Sequence, residues 1–388
     1  MITVEQALAL VFALTSPLPT EIVPLARANR RVMPAPAHAL RDQPPFAASA
    51  MDGYAVNGAA APGSRFAVIG EAGAGHAFGG HLAPGQAIRI FTGAPVPDGA
   101  TQVIIQEDVD AGNNQITLRD TLDTGTNIRP LGQDFRAGDV LGARLLRPND
   151  VALLAAMNIA EIAVTRRPIV TIIATGDELV MPGETPRADQ IIASNSFALK
   201  ALVEDAGGIA RLLPIARDTE ASLRTVLDMA KGADLIVTIG GASVGDHDLV
   251  GKVAGQMGME RAFYKIAMRP GKPLMAGRLH GVPMLGLPGN PVSAIVCGHL
   301  FLLPMLRAML GLGSVPPALQ TAPLAIDIPA NGPRAHYMRA HLSDGKITPF
   351  DRQDSALLSI LTQASALLIR PIGDGPRKAG DPVGYLPL

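Results

Sequence analysis

Between Pro168 and Leu312 the chain alternates uninterrupted apolar, β-branched runs with helix-length segments, and this alternation constrains the fold more than any other feature. Residues 169–174 read Ile-Val-Thr-Ile-Ile-Ala. Such a strand has no polar face and suits a sheet covered on both sides. A helix is expected over about 196–205, closed by Gly207-Gly208. A strand over 211–216 follows, then a helix over 219–231 that Asp218 can cap. Strand 235–239 runs into Gly240-Gly241, and a helix over 249–257 comes next. Strands over 263–268 and 273–277 precede strand 282–287, which follows the turn at His280-Gly281. A long helix from about 291 to 310 closes the region. This order predicts a doubly wound, mostly parallel α/β domain whose ligand site lies beyond the carboxyl ends of its strands.

Four segments fall at or near such ends. In Thr175-Gly176-Asp177-Glu178, two adjacent carboxylates stand where a buried strand stops. They suit a hard cation or the positioning of water, although alone they also fit a solvated turn. In Gly240-Gly241-Ala242-Ser243-Val244-Gly245-Asp246-His247-Asp248, glycines let backbone N–H groups approach an oxyanion, and Ser243 adds a donor. Asp246 and Asp248 could hold Mg²⁺ through oxygen. The segment is neither a Walker A loop nor a GxGxxG fingerprint. Arg269 and Lys272 bracket a Pro-Gly turn, presenting two cations to an anion, as surface pairs also do. In Leu287-Pro288-Gly289-Asn290-Pro291-Val292-Ser293, Asn290 is placed as the N-cap and Pro291 as the first residue of the long helix. Its N-terminus suits an anion, while the capped helix needs none.

The flanks differ in character. A short helix capped near Thr3 opens the chain. Short β-like runs follow at 65–69, 87–91, 102–106 and 115–118, and Gly112-Asn113-Asn114 joins the last two as a hairpin. Residues 148–159 read as a helix capped by Asn149 or Asp150. After Pro316-Pro317 the chain turns β-rich again, with a hairpin at Asp344-Gly345, a helix near 354–362 and a strand at 366–370. The expected fold class is therefore α/β plus all-β: a central doubly wound, mostly parallel α/β domain flanked by smaller β-rich domains in an elongated multidomain subunit. The expected boundaries are 1–45 with 138–168, a discontinuous N-terminal linker domain; 46–137, β-rich; 169–316, α/β; and 317–388, β-barrel-like.

Composition narrows the function classes. The formal net charge is −1, which argues against a duplex-DNA binder and its basic face. A single cysteine, Cys297, forbids an intrachain disulfide or a multi-cysteine zinc site and suits a cytoplasmic chain. Its apolar neighbours mark it as a small buried hydrophobe. The apolar run 7–14 follows Glu5 and Gln6 rather than a basic region, so it reads as a helix and not a signal sequence. No apolar stretch reaches the ~18 residues that a membrane span needs.

Six segments occur together and in order: Ser49-Ala50-Met51-Asp52-Gly53-Tyr54-Ala55, Thr92-Gly93-Ala94-Pro95-Val96-Pro97, Thr175-Gly176-Asp177-Glu178-Leu179, Gly240-Gly241-Ala242-Ser243-Val244-Gly245, Pro270-Gly271-Lys272-Pro273 and Leu287-Pro288-Gly289-Asn290-Pro291-Val292-Ser293. The chain thus resembles the molybdopterin molybdenumtransferase family, whose animal relative is the C-terminal domain of gephyrin. The resemblance implies four domains per subunit and an elongated homodimer with its active site between subunits. It implies Mg²⁺-dependent insertion of molybdate into adenylated molybdopterin, with release of AMP. Glu178, Asp52, Thr92, Asp134 and Asp248 would be catalytic, and Glu178, Asp218, Asp246 and Asp248 would face the metal. Asp177, Gly240, Gly241, Ser243, Arg269, Lys272, Pro288, Gly289, Asn290, Pro291 and Ser293 would bind substrate. Asp52, Thr92 and Asp134 would come from the facing subunit. An adenylyltransferase and acceptor molybdoenzymes are the partners implied. Relatives often carry lysine where this chain has Arg269, which keeps the charge and changes its geometry. Two other readings share many of these features: a molybdopterin adenylyltransferase, and a non-catalytic cofactor-binding scaffold.

Overall fold

The computed structural model describes residues 1–241 and 249–388. They form two compact units, one of residues 1–21, 30–32 and 164–388, the other of residues 22–29 and 33–163.

The first unit is built on a six-stranded sheet in the order Ile209–Leu212, Ile169–Ala174, Leu235–Ile239, Val282–Leu287, Met275–Leu279 and Glu260–Tyr264. The first four strands pair in parallel, and Met275–Leu279 pairs antiparallel with both of its neighbours. Side chains alternate between two cores, as the two-residue period of a strand demands. Val170, Ile172, Val237 and Leu285 face one cluster, which also holds helices Val4–Ala13 and Asn195–Asp205. Ile173, Ile236 and Met284 face the other, against helices Glu220–Asp228 and Leu249–Gln256. The sheet is thus covered on both faces, which is why residues 169–174 have no exposed polar face, Thr171 being buried and accepting from Arg211. The chain steps from Ile169–Ala174 out to the edge strand and returns on the other side as Leu235–Ile239, making a switch point between them.

Several expectations shift. The strand expected at 211–216 is Ile209–Leu212, with only Ala216 bridging back to Thr175. The cap of the next helix is Thr219, whose hydroxyl accepts from the Ser222 N–H, so Asp218 is released for other bonds. The run expected at 263–268 splits: Glu260–Tyr264 joins the α/β sheet, while Met268–Arg269 joins the C-terminal sheet in parallel with Ala335 and His336. The helical run Pro291–Met309 is 19 residues long and apolar enough to cross a membrane. That overturns the expectation that no stretch reaches span length. With 83% of its apolar window buried inside the protein, it is a core helix. Cys297 lies in it, fully buried, and burial raises its thiol pKa far above the ordinary value.

The C-terminal sheet orders Met268–Arg269, Ala335–Ser343, Ala366–Arg370, Pro382–Pro387 and Gln320–Pro323, with Lys346–Pro349 paired to Ala335–Ser343. Asp344 and Gly345 adopt positive φ at the expected hairpin. The helix expected near 354–362 shrinks to Leu358–Leu361. Arg370 is buried here against Asp374, which also receives Arg377.

The second unit holds another six-stranded sheet, ordered Gln102–Ile105, Gly53–Val56, Gln86–Ile90, Arg65–Ala72, Gln115–Leu118 and Val109–Gly112. Asn113 and Asn114, both at positive φ, do turn a hairpin, but its first strand is Val109–Gly112 and not 102–106. The polar Asp110 and Ala111-Gly112 hid that strand from its pattern. Helix Pro148–Ala156 begins with Pro148; Asp150 is its third residue and accepts from the Arg147 N–H at 2.8 Å, so neither Asn149 nor Asp150 is the cap.

Candidate active site

At the switch point the tips of Ile169–Ala174 and Leu235–Ile239 open into a cavity of about 930 Å³. Pro288–Ser293, before and within the long helix, lines another side, and the segment around Ile191–Asn195 a third. Glu178, Asp218, Gly240, Gly241, Pro288, Gly289, Asn290, Pro291 and Ser293 all line this cavity. Ser243, Asp246, His247 and Asp248 lie outside the described residues.

The acidic wall is built by hydrogen bonds between two loops. Asp218 N–H donates to Asp177 Oδ1 at 3.2 Å, and Asp177 N–H donates to Asp218 Oδ2 at 3.4 Å. Asp177 is therefore turned to the neighbouring loop and is absent from the cavity lining, while Asp218 lines it. Gly176 has φ +146°, and a Cβ there would sit 2.3 Å from Glu178 Oε2. The Glu178 carboxylate thus folds over Gly176, whose backbone conformation favours glycine.

Gly240 and Gly241 are also sterically required. A Cβ on Gly240 would lie 2.9 Å from Thr175 O, and one on Gly241 2.4 Å from Val250 Cγ2. The Gly240 N–H donates to Leu287 O at 3.0 Å, so that amide is engaged by the chain and not open to an anion. Asn290 stands at the N-cap position, but its side chain makes no cap bond and donates to Ser355 Oγ at 2.9 Å. Asn195 Nδ2 donates to Gly289 O at 2.7 Å, tying that turn to the Asn195–Asp205 helix. Ala356 lines the same cavity. Sequence reasoning missed Asn195, Ser355 and Ala356: each is chemically ordinary and distant in sequence, so no local pattern marks it.

Arg269 and Lys272 are not in the cavity wall, although neighbouring Pro273 is. Arg269 is exposed and pairs in register with His336. Burial, reinforced by Arg269, Arg339, Arg370 and Arg334, pushes the His336 pKa down to about 4.

The remaining expected residues lie in the second unit. Asp52 Oδ1 accepts from both the N–H and the Oγ1 of Thr92, each at 2.7 Å. The Thr92 backbone bond, then its hydroxyl bond, holds the Asp52 pKa below the ordinary carboxylate value. Asp134 lines a separate cavity of about 550 Å³ with Arg129, Gln133 and Phe46. Among the described residues no three His, Cys, Asp or Glu side chains cluster as a ready-made metal cage.

Comparison with known proteins matches this architecture. Residues 171–308 match a family described as "Probable molybdopterin binding domain", flanked by the MoeA N-terminal region (domain I and II) at residues 2–158 and the MoeA C-terminal region (domain IV) at 321–388. The class is thus a multidomain protein organised around a molybdopterin-binding type of α/β domain. A molybdopterin molybdenumtransferase of Nostoc sp. is 35% identical, covering 98% of this chain and 91% of that protein. Molybdopterin molybdenumtransferase 2 of Mycobacterium tuberculosis is 36% identical over 90% of each chain. A crystal structure of the molybdopterin biosynthesis MoeA protein from Pyrococcus horikoshii covers the whole of both chains with TM-score 0.83 and 28% identity. The chain belongs to the molybdopterin molybdenumtransferase family.

Proposed function

We propose that this enzyme inserts molybdate into adenylated molybdopterin, with Mg²⁺ assisting cleavage of the adenylate and release of AMP. The observation that carries the reading is the convergence of Glu178 and Asp218 with the glycine turn at 240–241 and the 288–293 segment on one cavity at the sheet's switch point. Its volume of about 930 Å³ matches the upper part of the ~300–1,000 Å³ range of small-molecule sites. Mg²⁺ is commonly held by one or two carboxylates plus substrate phosphates, and Glu178 and Asp218 supply that donor chemistry. Asp246 and Asp248 are assigned to the same ion from their sequence position. Bound there, the ion would offset pyrophosphate charge and polarise the bond that breaks.

The protein's own groups do the positioning. Glu178, at the strand tip, orients water or takes a proton at its carboxylate. Asp218 is held by Asp177 at both its backbone N–H and its Oδ2, which fixes how its carboxylate is presented to the cavity. The glycines at 240, 241 and 289 let the substrate approach the backbone closely, Asn290, Pro291 and Ser293 line its bed, and Ser243 is assigned to it from its sequence position. Arg269 and Lys272 provide positive charge for oxyanions at the approach to the site. Asp52, Thr92 and Asp134 serve the reaction from a second copy of the chain, in a cytoplasmic homodimer. An adenylyltransferase supplies the adenylate, and acceptor molybdoenzymes take the product.

The test is to incubate the protein with adenylated molybdopterin, molybdate and Mg²⁺. AMP and active cofactor are expected, with neither formed when molybdate is omitted together with Mg²⁺. Adenylate formed from ATP and free molybdopterin would overturn the reading in favour of an adenylyltransferase. Tight substrate binding without turnover would favour the scaffold.

A further inference from the structure

Glu178 reaches the cavity from a short loop, and one side chain outside the sequence-derived site braces that loop. Arg217 Nη1 donates to three carbonyls of it: Gly176 O at 3.3 Å, Asp177 O at 3.3 Å and Leu179 O at 3.0 Å. The one carbonyl between them, Glu178 O, accepts instead from the Ile191 N–H at 2.8 Å. Every carbonyl from Gly176 to Leu179 therefore has a partner, and Arg217 alone serves most of them. Arg217 is itself held at its backbone, where its N–H donates to Ser222 Oγ at 2.9 Å, in the first turn of helix Glu220–Asp228. Adjacent Asp218 exchanges hydrogen bonds with Asp177. Gly176 N–H donates to Ala216 O at 3.1 Å. Residues 216–218 thus form a continuous brace along 176–179.

We infer that Arg217 is a positioning residue for Glu178, and that it sets the turnover of the site rather than its affinity. The physical reason is the loop's geometry. Gly176, at φ +146°, has no side chain to restrict its backbone, and the Glu178 carboxylate folds back over it, so the loop depends on contacts from outside itself to stay in this shape. One terminal nitrogen of Arg217 reaches all three carbonyls, which converge on it from one side of the loop. Removing it frees the carbonyls to turn to water and lets Glu178 sample other positions, and small displacements of a reacting group lower rate sharply. Substrate contacts made by the 240–241 and 288–293 segments are untouched.

The inference rests on the proposed molybdate insertion for its kinetic readout, and on amide exchange for a readout independent of the reaction. Arg217→Gln should lower kcat for AMP release at least 10-fold, with KM for adenylated molybdopterin within about twofold of the wild type. Hydrogen exchange of amides 176–180 should quicken, with the melting temperature little changed. Because a single nitrogen makes all the contacts, Arg217→Lys should restore most of kcat and of the exchange protection. If the wild type releases no AMP, the reading of function fails, and exchange alone still decides whether Arg217 holds the loop. Unchanged exchange at 176–180 in Arg217→Gln would overturn the inference, as would a variant that turns over at the wild-type rate. A rise in KM matching the fall in kcat/KM would overturn it too.

Discussion

Glu178 folds its carboxylate over Gly176, whose φ of +146° favours glycine, and that arrangement makes it the sharpest single-residue test of the site. Glu178→Gln keeps size and loses charge. AMP release should fall about 100-fold or more, the scale of a lost general base, while thermal unfolding stays as in the wild type. Wild-type turnover in that variant would remove Glu178 from the chemistry. Asp52 offers a second residue-scale test. Two bonds from Thr92 hold its pKa below the usual value, the backbone bond more than the hydroxyl. The ionised carboxylate therefore favours the folded state above its unfolded pKa, and that contribution is lost as pH falls through the folded value. Thr92→Val keeps the backbone donor and removes the hydroxyl. The Asp52 pKa, followed by carboxyl-carbon NMR, should rise part of the way towards normal, and an unmoved value would show that the hydroxyl bond is not formed in solution.

At the scale of elements, the 269–272 turn explains how two sheets of one unit share a short stretch of chain. Met268–Arg269 belongs to the C-terminal sheet, and Met275–Leu279 to the α/β sheet. Gly271 lies between them at φ +108°, where a Cβ would come within 2.5 Å of Cys297 Sγ on the long core helix. Gly271→Ala should destabilise the protein by about 1–3 kcal/mol, the usual cost of overpacking. Adding Cys297→Ala should recover only part of that, since the backbone strain remains. Full recovery in urea denaturation would mean that the contact, and not the positive φ, was the whole cost. The same crossing explains why Arg269 sits beside His336 and away from the cavity wall. Its position follows from a pairing with a strand more than sixty residues away in sequence.

At the scale of the whole molecule, the proposed function predicts that two differently damaged chains repair each other. In a homodimer whose sites combine residues of both copies, Glu178→Gln and Asp52→Asn lie on opposite sides of each site. Homodimers of either variant should be inactive. Co-expressed heterodimers, isolated with two tags, should regain about half of the wild-type AMP release, because one of their sites is intact. Heterodimers as inactive as the parents would show that each chain completes its own site.

What the sequence determined by itself was the alternation and the punctuation. The runs at 169–174, 235–239 and 282–287 form strands with those bounds because a mostly apolar, β-branched-rich segment has few other places to go. The switch-point rule then placed Glu178 and Gly240 beside one cavity, and motif resemblance named the family. Tertiary structure decided what depends on partners remote in sequence. It moved the helix cap from Asp218 to Thr219, engaged Asn290 with Ser355, and split the run at 263–268 between two sheets. It also recruited Arg217, an ordinary arginine in its own neighbourhood, to three carbonyls some forty residues away. A local pattern reports where a segment buries its apolar face. Which donor meets which acceptor is settled only when loops from distant strands arrive at the same edge of the sheet.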